Sequence, residues 1–172
     1  MPREVISEMT VSLTPPSERA ALLNFLDAQR IGLIRKIEGV DDELARQAPT
    51  ASALSLLGLV KHAATCELRW FDVIMAGRPS PDGWPEVRPD PRDADLFVHD
   101  GDTVAHWLTV YRAQILTSNE IAASMDLHAA CARTDVIECN LRYVILHLIE
   151  ETARHAGHAD IIRETLDGSR GI

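Results

Sequence analysis

The stretch HLIEETARHAGHAD, His147 to Asp160, places three histidines and two glutamates in a segment that otherwise has the apolar spacing of a core-facing helix. Imidazole and carboxylate groups are the ligands favoured by divalent zinc, nickel or iron, and they also pair with each other through hydrogen bonds. Each helical residue advances about 100°, so Glu151 and His155 share a stripe with Val144, Leu148 and Ile162. His147 and His158 fall at the edges of that stripe, and Glu150 points into solvent. The same geometry puts His62 on a face with Leu59, Cys66 and Val73. A buried carboxylate costs several kcal/mol unless it is paired, protonated or metal-bound. Two inward histidines and one carboxylate from facing helices answer that cost either as a hydrogen-bonded set or as joint ligands of one ion. Spacing alone leaves both answers open, because Glu and His four apart are also ordinary helix neighbours.

Four long segments must position these groups. PPSERAALLNFLDAQRIGLIRKIEGV carries Leu22, Leu26, Leu33 and Ile37 on one face, with Ser17 as N-cap and Gly39 as stop. DDELARQAP supplies one polar helical turn, and TASALSLLGLVKHAATCELRWFDVIMAG begins a second long helix that Gly77 ends. Residues 77–100 hold five of the nine prolines, a density that no helix survives. Such a connection is either a solvated crossover or a lid with Trp84 or Phe97 dipping into a pocket. Val104, Trp107, Leu108, Tyr111 and Ile115 mark a third helix with Asp102 as expected N-cap, and a fourth runs from about Asn140 to Leu166. The expected fold is all-α, a four-helix bundle with a long proline-rich crossover loop between its second and third helices. One domain over residues 1–172 is expected, with 1–15 as an extended N-terminal segment.

Composition narrows the function classes. A net charge of −9 disfavours nucleic acid as a partner, since phosphate backbones need clustered Lys and Arg. The first residues contain no uninterrupted apolar run, so neither a signal peptide nor a membrane span is expected and the location is read as cytoplasmic. Cys66, Cys131 and Cys139 have no CxxC spacing, which argues against a disulfide framework or a zinc knuckle. Lysine occurs only at Lys36 and Lys61 against 15 arginines, a bias read as that of a GC-rich genome.

Two stretches resemble the DinB-like superfamily of metal-binding four-helix bundles, in its actinobacterial branch. LVKHAATCELRWF is similar to the second-helix motif, a His followed five residues later by Glu and eight later by Trp, here His62, Glu67 and Trp70. HLIEETARHAGHADIIRE is similar to the fourth-helix motif, two histidines four apart followed by glycine. The first of those histidines falls on Glu151, the second on His155, and the glycine on Gly157. This chain thus departs from the three-histidine pattern and is similar to the His-Glu-His triad of mycothiol-dependent maleylpyruvate isomerases.

The resemblance implies one divalent metal, zinc first with nickel, iron or manganese as alternatives, held by His62, Glu151 and His155 with a position open to water or substrate. Cys66, one turn beyond His62, is read as a small buried hydrophobe; it is also the one candidate for a fourth ligand if the site is closed and non-catalytic. Glu67 points about 140° away from the metal side, and His147 is read as a packing histidine. His158 replaces a glutamine of many relatives and takes an orienting or pocket role. Arg69 and Arg142 are candidates for orienting an anionic thiol or product, and Trp84 for lining the pocket. Members of the superfamily with assigned activities work largely with low-molecular-weight thiols. The implied function is a metal-dependent S-transferase joining mycothiol to a small electrophile through a metal-activated thiolate. The alternatives are a thiol-dependent isomerase of an unsaturated diacid and a non-catalytic, stress-related metal-binding bundle; homodimerisation follows by analogy.

Overall fold

The computed structural model describes residues 13–87 and 94–170. Most of the expected N-terminal segment and the middle of the proline-rich connection, 88–93, lie outside the described residues. Among those described, the chain is all-helical, apart from one isolated antiparallel bridge between Ala130 and Asn140. The helices are α1 (Glu18–Ile37), the single turn α2 (Asp42–Ala45), α3 (Leu56–Glu67), α4 (Val104–Ser124) and α5 (Leu141–Asp167). A π-helix, Leu68–Met75, continues α3, and a 3₁₀ turn, Ala94–Leu96, lies in the connection that follows.

Each α-helix starts where a short polar side chain accepts a backbone N–H of the first turn: Ser17, Asp41, Ser55, Thr103 and Asn140. Thr103, and not the expected Asp102, caps α4. The Asp102 carboxylate is committed elsewhere, accepting from Lys61 Nζ at 3.0 Å, Trp107 Nε1 at 2.8 Å and His99 N at 2.8 Å. Burial opposes its charge, but these three donors outweigh it and hold its pKa at about 2.

Helix α1 packs along α5, and α3 packs along both α4 and α5. The apolar core between them falls into two clusters. One joins Leu33, Ile34 and Ile37 to Leu59, Val60, Leu108, Ile115 and Ile162. The other joins Leu26 to Phe71, Met75, Ile121, Val144 and Leu148. Between them every long helix contributes a buried polar residue: Arg30, Glu67, Ser118, and on α5 Thr152 with His155.

Arg30 is the centre of this layer. Its Nε and Nη2 donate to the two Glu67 oxygens at 2.6 and 2.7 Å, and its Nη1 reaches Asp27 at 2.7 Å and Asn119 at 2.8 Å. One guanidinium thereby ties α1 to α3 and α4 with both partners 1% exposed. Such pairs form only with this bidentate geometry, because desolvating either charge alone is prohibitive. Burial acts against the Arg30 charge, yet the Glu67 carboxylate more than compensates and raises its pKa. The Tyr111 hydroxyl, fully buried beside this pair, has no hydrogen-bond partner among the described residues.

Two glycines fix how loops meet α3. A Cβ on Gly58 would run into the Leu96 carbonyl oxygen, so its absence lets the 3₁₀ turn lie against the helix. Gly77 ends the π-helix with φ +69°, a left-handed conformation that only glycine adopts freely. Ala132 and Arg133 then donate to the freed carbonyls of Met75 and Ile74.

Two predictions follow from these interactions. Glu67→Gln is expected to cost about 3–5 kcal/mol in denaturant unfolding, because it leaves Arg30 charged and buried; the Arg30→Met/Glu67→Leu double variant should lose less than either single change. For Asp102, the folded pKa lies below the usual 3.8, so its contribution is present above that value and lost as pH falls through about 2. Asp102→Asn should therefore cost about 2 kcal/mol near neutral pH, and the difference from wild type should shrink below about pH 4 and close only below about pH 2.

Candidate metal centre

Helices α3 and α5 run antiparallel, His62 facing His155 at one end of the seam and Trp70 facing His147 at the other. Along α3 and its π continuation the positions are His62, Cys66 and Trp70, and along α5 they are Tyr143, His147, Glu151 and His155, each set spaced by four residues. Four-residue spacing keeps each set on one helix face.

The structure brings His62, Glu151 and His155 together. Nε2 of His62 lies 3.3 Å, and Nε2 of His155 3.0 Å, from the same oxygen, Glu151 Oε1. The two rings meet edge to face with centroids 4.7 Å apart. The triad occupies the rim of the polar layer and not its centre: the His62 and Glu151 side chains are 18% and 20% exposed.

The electrostatics suit ligands. Burial opposes ionisation of Glu151, but the hydrogen bonds from His62 and His155 outweigh it and hold the carboxyl below its ordinary value. Burial, then the neighbouring His62, lowers the His155 pKa despite the attraction of Glu151, which favours the neutral imidazole that a metal needs. The second Glu151 oxygen accepts from Arg154 at 2.7 Å, and Glu150 stands in solvent as expected. His158 Nδ1 is 3.5 Å from His155 Nδ1, at the ring nitrogen that the triad does not use.

This donor set fits a divalent cation. Nitrogen and oxygen atoms bound about 2.1 Å from one ion lie roughly 3.0–3.4 Å from one another in octahedral or tetrahedral arrangements. The observed spacings of 3.3 and 3.0 Å fall in that range. Among the described residues, the group whose ligand atoms all lie within 4.8 Å of one another is His62, Cys66 and Glu151; His155 hydrogen-bonds to it through Glu151 Oε1 alone.

The remaining residues sort by place. Arg69 clamps the proline-rich connection, binding Asp95 with both Nη atoms and Asp82 at 3.2 Å, with its guanidinium 5.4 Å from the Trp84 ring. Its Nε is buried without a partner among the described residues. Trp84 packs onto the core, whereas Phe97 is 44% exposed. Arg142 is not brought to the triad. It pairs with Glu18 at 2.7 Å and approaches His128, nine residues and about 13 Å along α5 from Glu151. His147 packs on Trp70 with centroids 4.2 Å apart. Glu67 faces Arg30 and takes no part in the seam. A cavity of 720 Å³ between α1, α2 and α4 is lined by Ile31, Ile34, Leu108 and Arg112 and by none of the triad.

A conserved protein from Enterococcus faecalis, known from its crystal structure, has the same fold, with a TM-score of 0.66, 13% identity, and coverage of 86% of this chain and 96% of that one. No curated protein matches the chain. A family model described as mycothiol S-transferase matches residues 21–168. The chain belongs to this DinB-like family, and both helices that carry the triad lie inside the matched span.

The Arg69 clamp makes a testable demand on the connection. Arg69→Met should leave helicity unchanged by circular dichroism while accelerating limited tryptic cleavage after Arg78. An unchanged cleavage rate would mean that Asp82 and Asp95 do not depend on this arginine for their positions.

Proposed function

We propose that the protein is a divalent-metal-dependent S-transferase that conjugates mycothiol to a small electrophile. The observation that carries this reading is the convergence of two imidazoles on one carboxylate oxygen at a solvent-reachable rim. The family supplies the thiol and the transfer; the geometry supplies the place for a cation. We read residues 21–168 as a single DinB-like four-helix bundle and zinc as the metal, since two imidazoles and a carboxylate are a common catalytic zinc set.

A divalent cation held there lowers the pKa of a bound thiol and makes a thiolate available at neutral pH. The chain's own residues prepare the site. His62 and His155 offer neutral nitrogens, and Glu151 supplies a negative charge that partly neutralises the ion. Arg154 holds the spare Glu151 oxygen outward. His158 orients the His155 ring from its far nitrogen, the place where ligating histidines take their supporting partner. Arg69 is read as holding Trp84 and the connection beside the site, its guanidinium 5.4 Å from the Trp84 ring and committed to Asp95 and Asp82. Arg142 drops out of this role because Glu18 occupies it at a distance from the triad.

A second reading, a closed metal site without catalysis, draws on one observation, the presence of Cys66 in the ligand cluster. No described helix is long and apolar enough to cross a membrane.

Elemental analysis of the tag-free protein, followed by conjugation of mycothiol to monochlorobimane, tests the proposal. We expect one metal per chain and conjugation that a chelator abolishes. Glu151→Ala and His155→Ala should keep their helicity and lose the metal, and His158→Ala should weaken metal affinity by about 10–100-fold. Stoichiometric metal retained in both triad variants would overturn the ligand assignment; metal without conjugation would favour the closed, non-catalytic site.

A further inference from the structure

We propose that Cys66 is a fourth ligand of the metal, so that the resident donor set is two imidazoles, one carboxylate and one sulfur. This rests on the reading that His62, Glu151 and His155 hold a metal. Cys66 Sγ lies 3.3 Å from His62 Nε2, and Glu151 Oε1 lies 3.3 Å from that same nitrogen. With a lone pair that ring nitrogen accepts from one neighbour at a time, and as an N–H it can only split its single proton between the two. A cation among the three atoms resolves the conflict, because each then directs its lone pair at the ion.

The Sγ to Nε2 spacing agrees with sulfur and nitrogen sharing one ion. Sulfur at about 2.3 Å and nitrogen at about 2.1 Å from one tetrahedral zinc are roughly 3.6 Å apart, close to the observed Sγ to Nε2 distance. The ligand atoms of His62, Cys66 and Glu151 all lie within 4.8 Å of one another. Location separates this thiol from the other core-facing one. Cys131 is 4% exposed and donates to the Ile137 carbonyl at 3.0 Å, whereas Cys66 is half-buried and turned toward the imidazole.

Two consequences follow. A sulfur ligand biases the site toward zinc and against manganese, which prefers oxygen. Four protein ligands would also close a zinc site at rest, so an external thiol would gain the metal only as Cys66 lets go. The proton given up by the incoming thiol would pass to the Cys66 sulfur, which makes Cys66 a latch that one thiol replaces with another.

X-ray absorption at the zinc edge of the zinc-loaded full chain reads this directly. A sulfur shell at about 2.3 Å beside nitrogen and oxygen near 2.0–2.1 Å is expected, with the sulfur shell absent in Cys66→Ser. The preference for zinc over manganese should fall at least tenfold in that variant. If Cys66→Ser does not fold, wild-type protein still decides through iodoacetamide labelling read by mass spectrometry. Zinc should slow alkylation at Cys66 and leave Cys131 and Cys139 unchanged. Bound zinc with only nitrogen and oxygen neighbours, or no protection of Cys66, overturns the inference and leaves the triad standing. Failure to bind zinc at all overturns both.

Discussion

The charged layer built on Arg30 and Glu67 is the constraint on which the rest depends. A guanidinium and a carboxylate sealed between two apolar clusters cannot slide relative to each other, because any register shift between α1 and α3 would expose a charge to hydrocarbon. Apolar contacts alone tolerate small translations, since Leu and Ile substitute for one another along a stripe. Arg30 removes that tolerance at one level and carries it to α4 through Asn119. The interaction defines how the helices are phased, whatever its net contribution to stability.

The candidate metal centre is the outer rim of the same layer. On α3 the buried Glu67 and the half-buried Cys66 are consecutive, one turned toward Arg30 and the other toward α5. On α5 Thr152 is buried while its neighbour Glu151 looks outward between the two histidines. Where α3 is held by Arg30, His62 is held too, because both lie on one rigid helix. A site assembled from regular helices at a fixed phase keeps its ligand spacing without support from the mobile parts of a chain. It also keeps its exposure, which a fully enclosed triad would lack.

Much of this was readable beforehand. Helix starts at Ser17 and Asn140 announced themselves because a polar cap followed by periodic apolar residues has few other meanings. Helical phase put Glu151 and His155 on one stripe and turned His62 inward, and the resemblance of the two helix motifs joined the three. Arg30 escaped notice, although it sits four after Leu26 and three before Leu33, squarely on the buried stripe. A lone arginine in such a stripe reads as an interruption, and its partner is 37 residues away. Cys66 was visible as one turn beyond His62, yet nothing in a sequence reports whether a thiol turns toward a ring or toward leucines. Arg142 looked suitable because it opens α5, but position along a helix is distance, and its distance from the triad is too great.

The π-helix after Glu67 has its own bearing on the site. Its hydrogen bonds run to the fifth residue, so each turn holds more of the chain than an α turn does. His62, Cys66 and Glu67 lie on the α side of this junction, and Arg69 and Trp70 lie beyond it. The ligand side and the loop-holding side of one continuous helix are thus phased independently. Loss of a single residue from the wide turns would leave His62 and Cys66 in place while rotating Arg69 away from Asp95 and Trp70 away from His147. The helix therefore contains a point at which the surroundings of the seam can drift through insertion or deletion while His62 and Cys66 stay fixed.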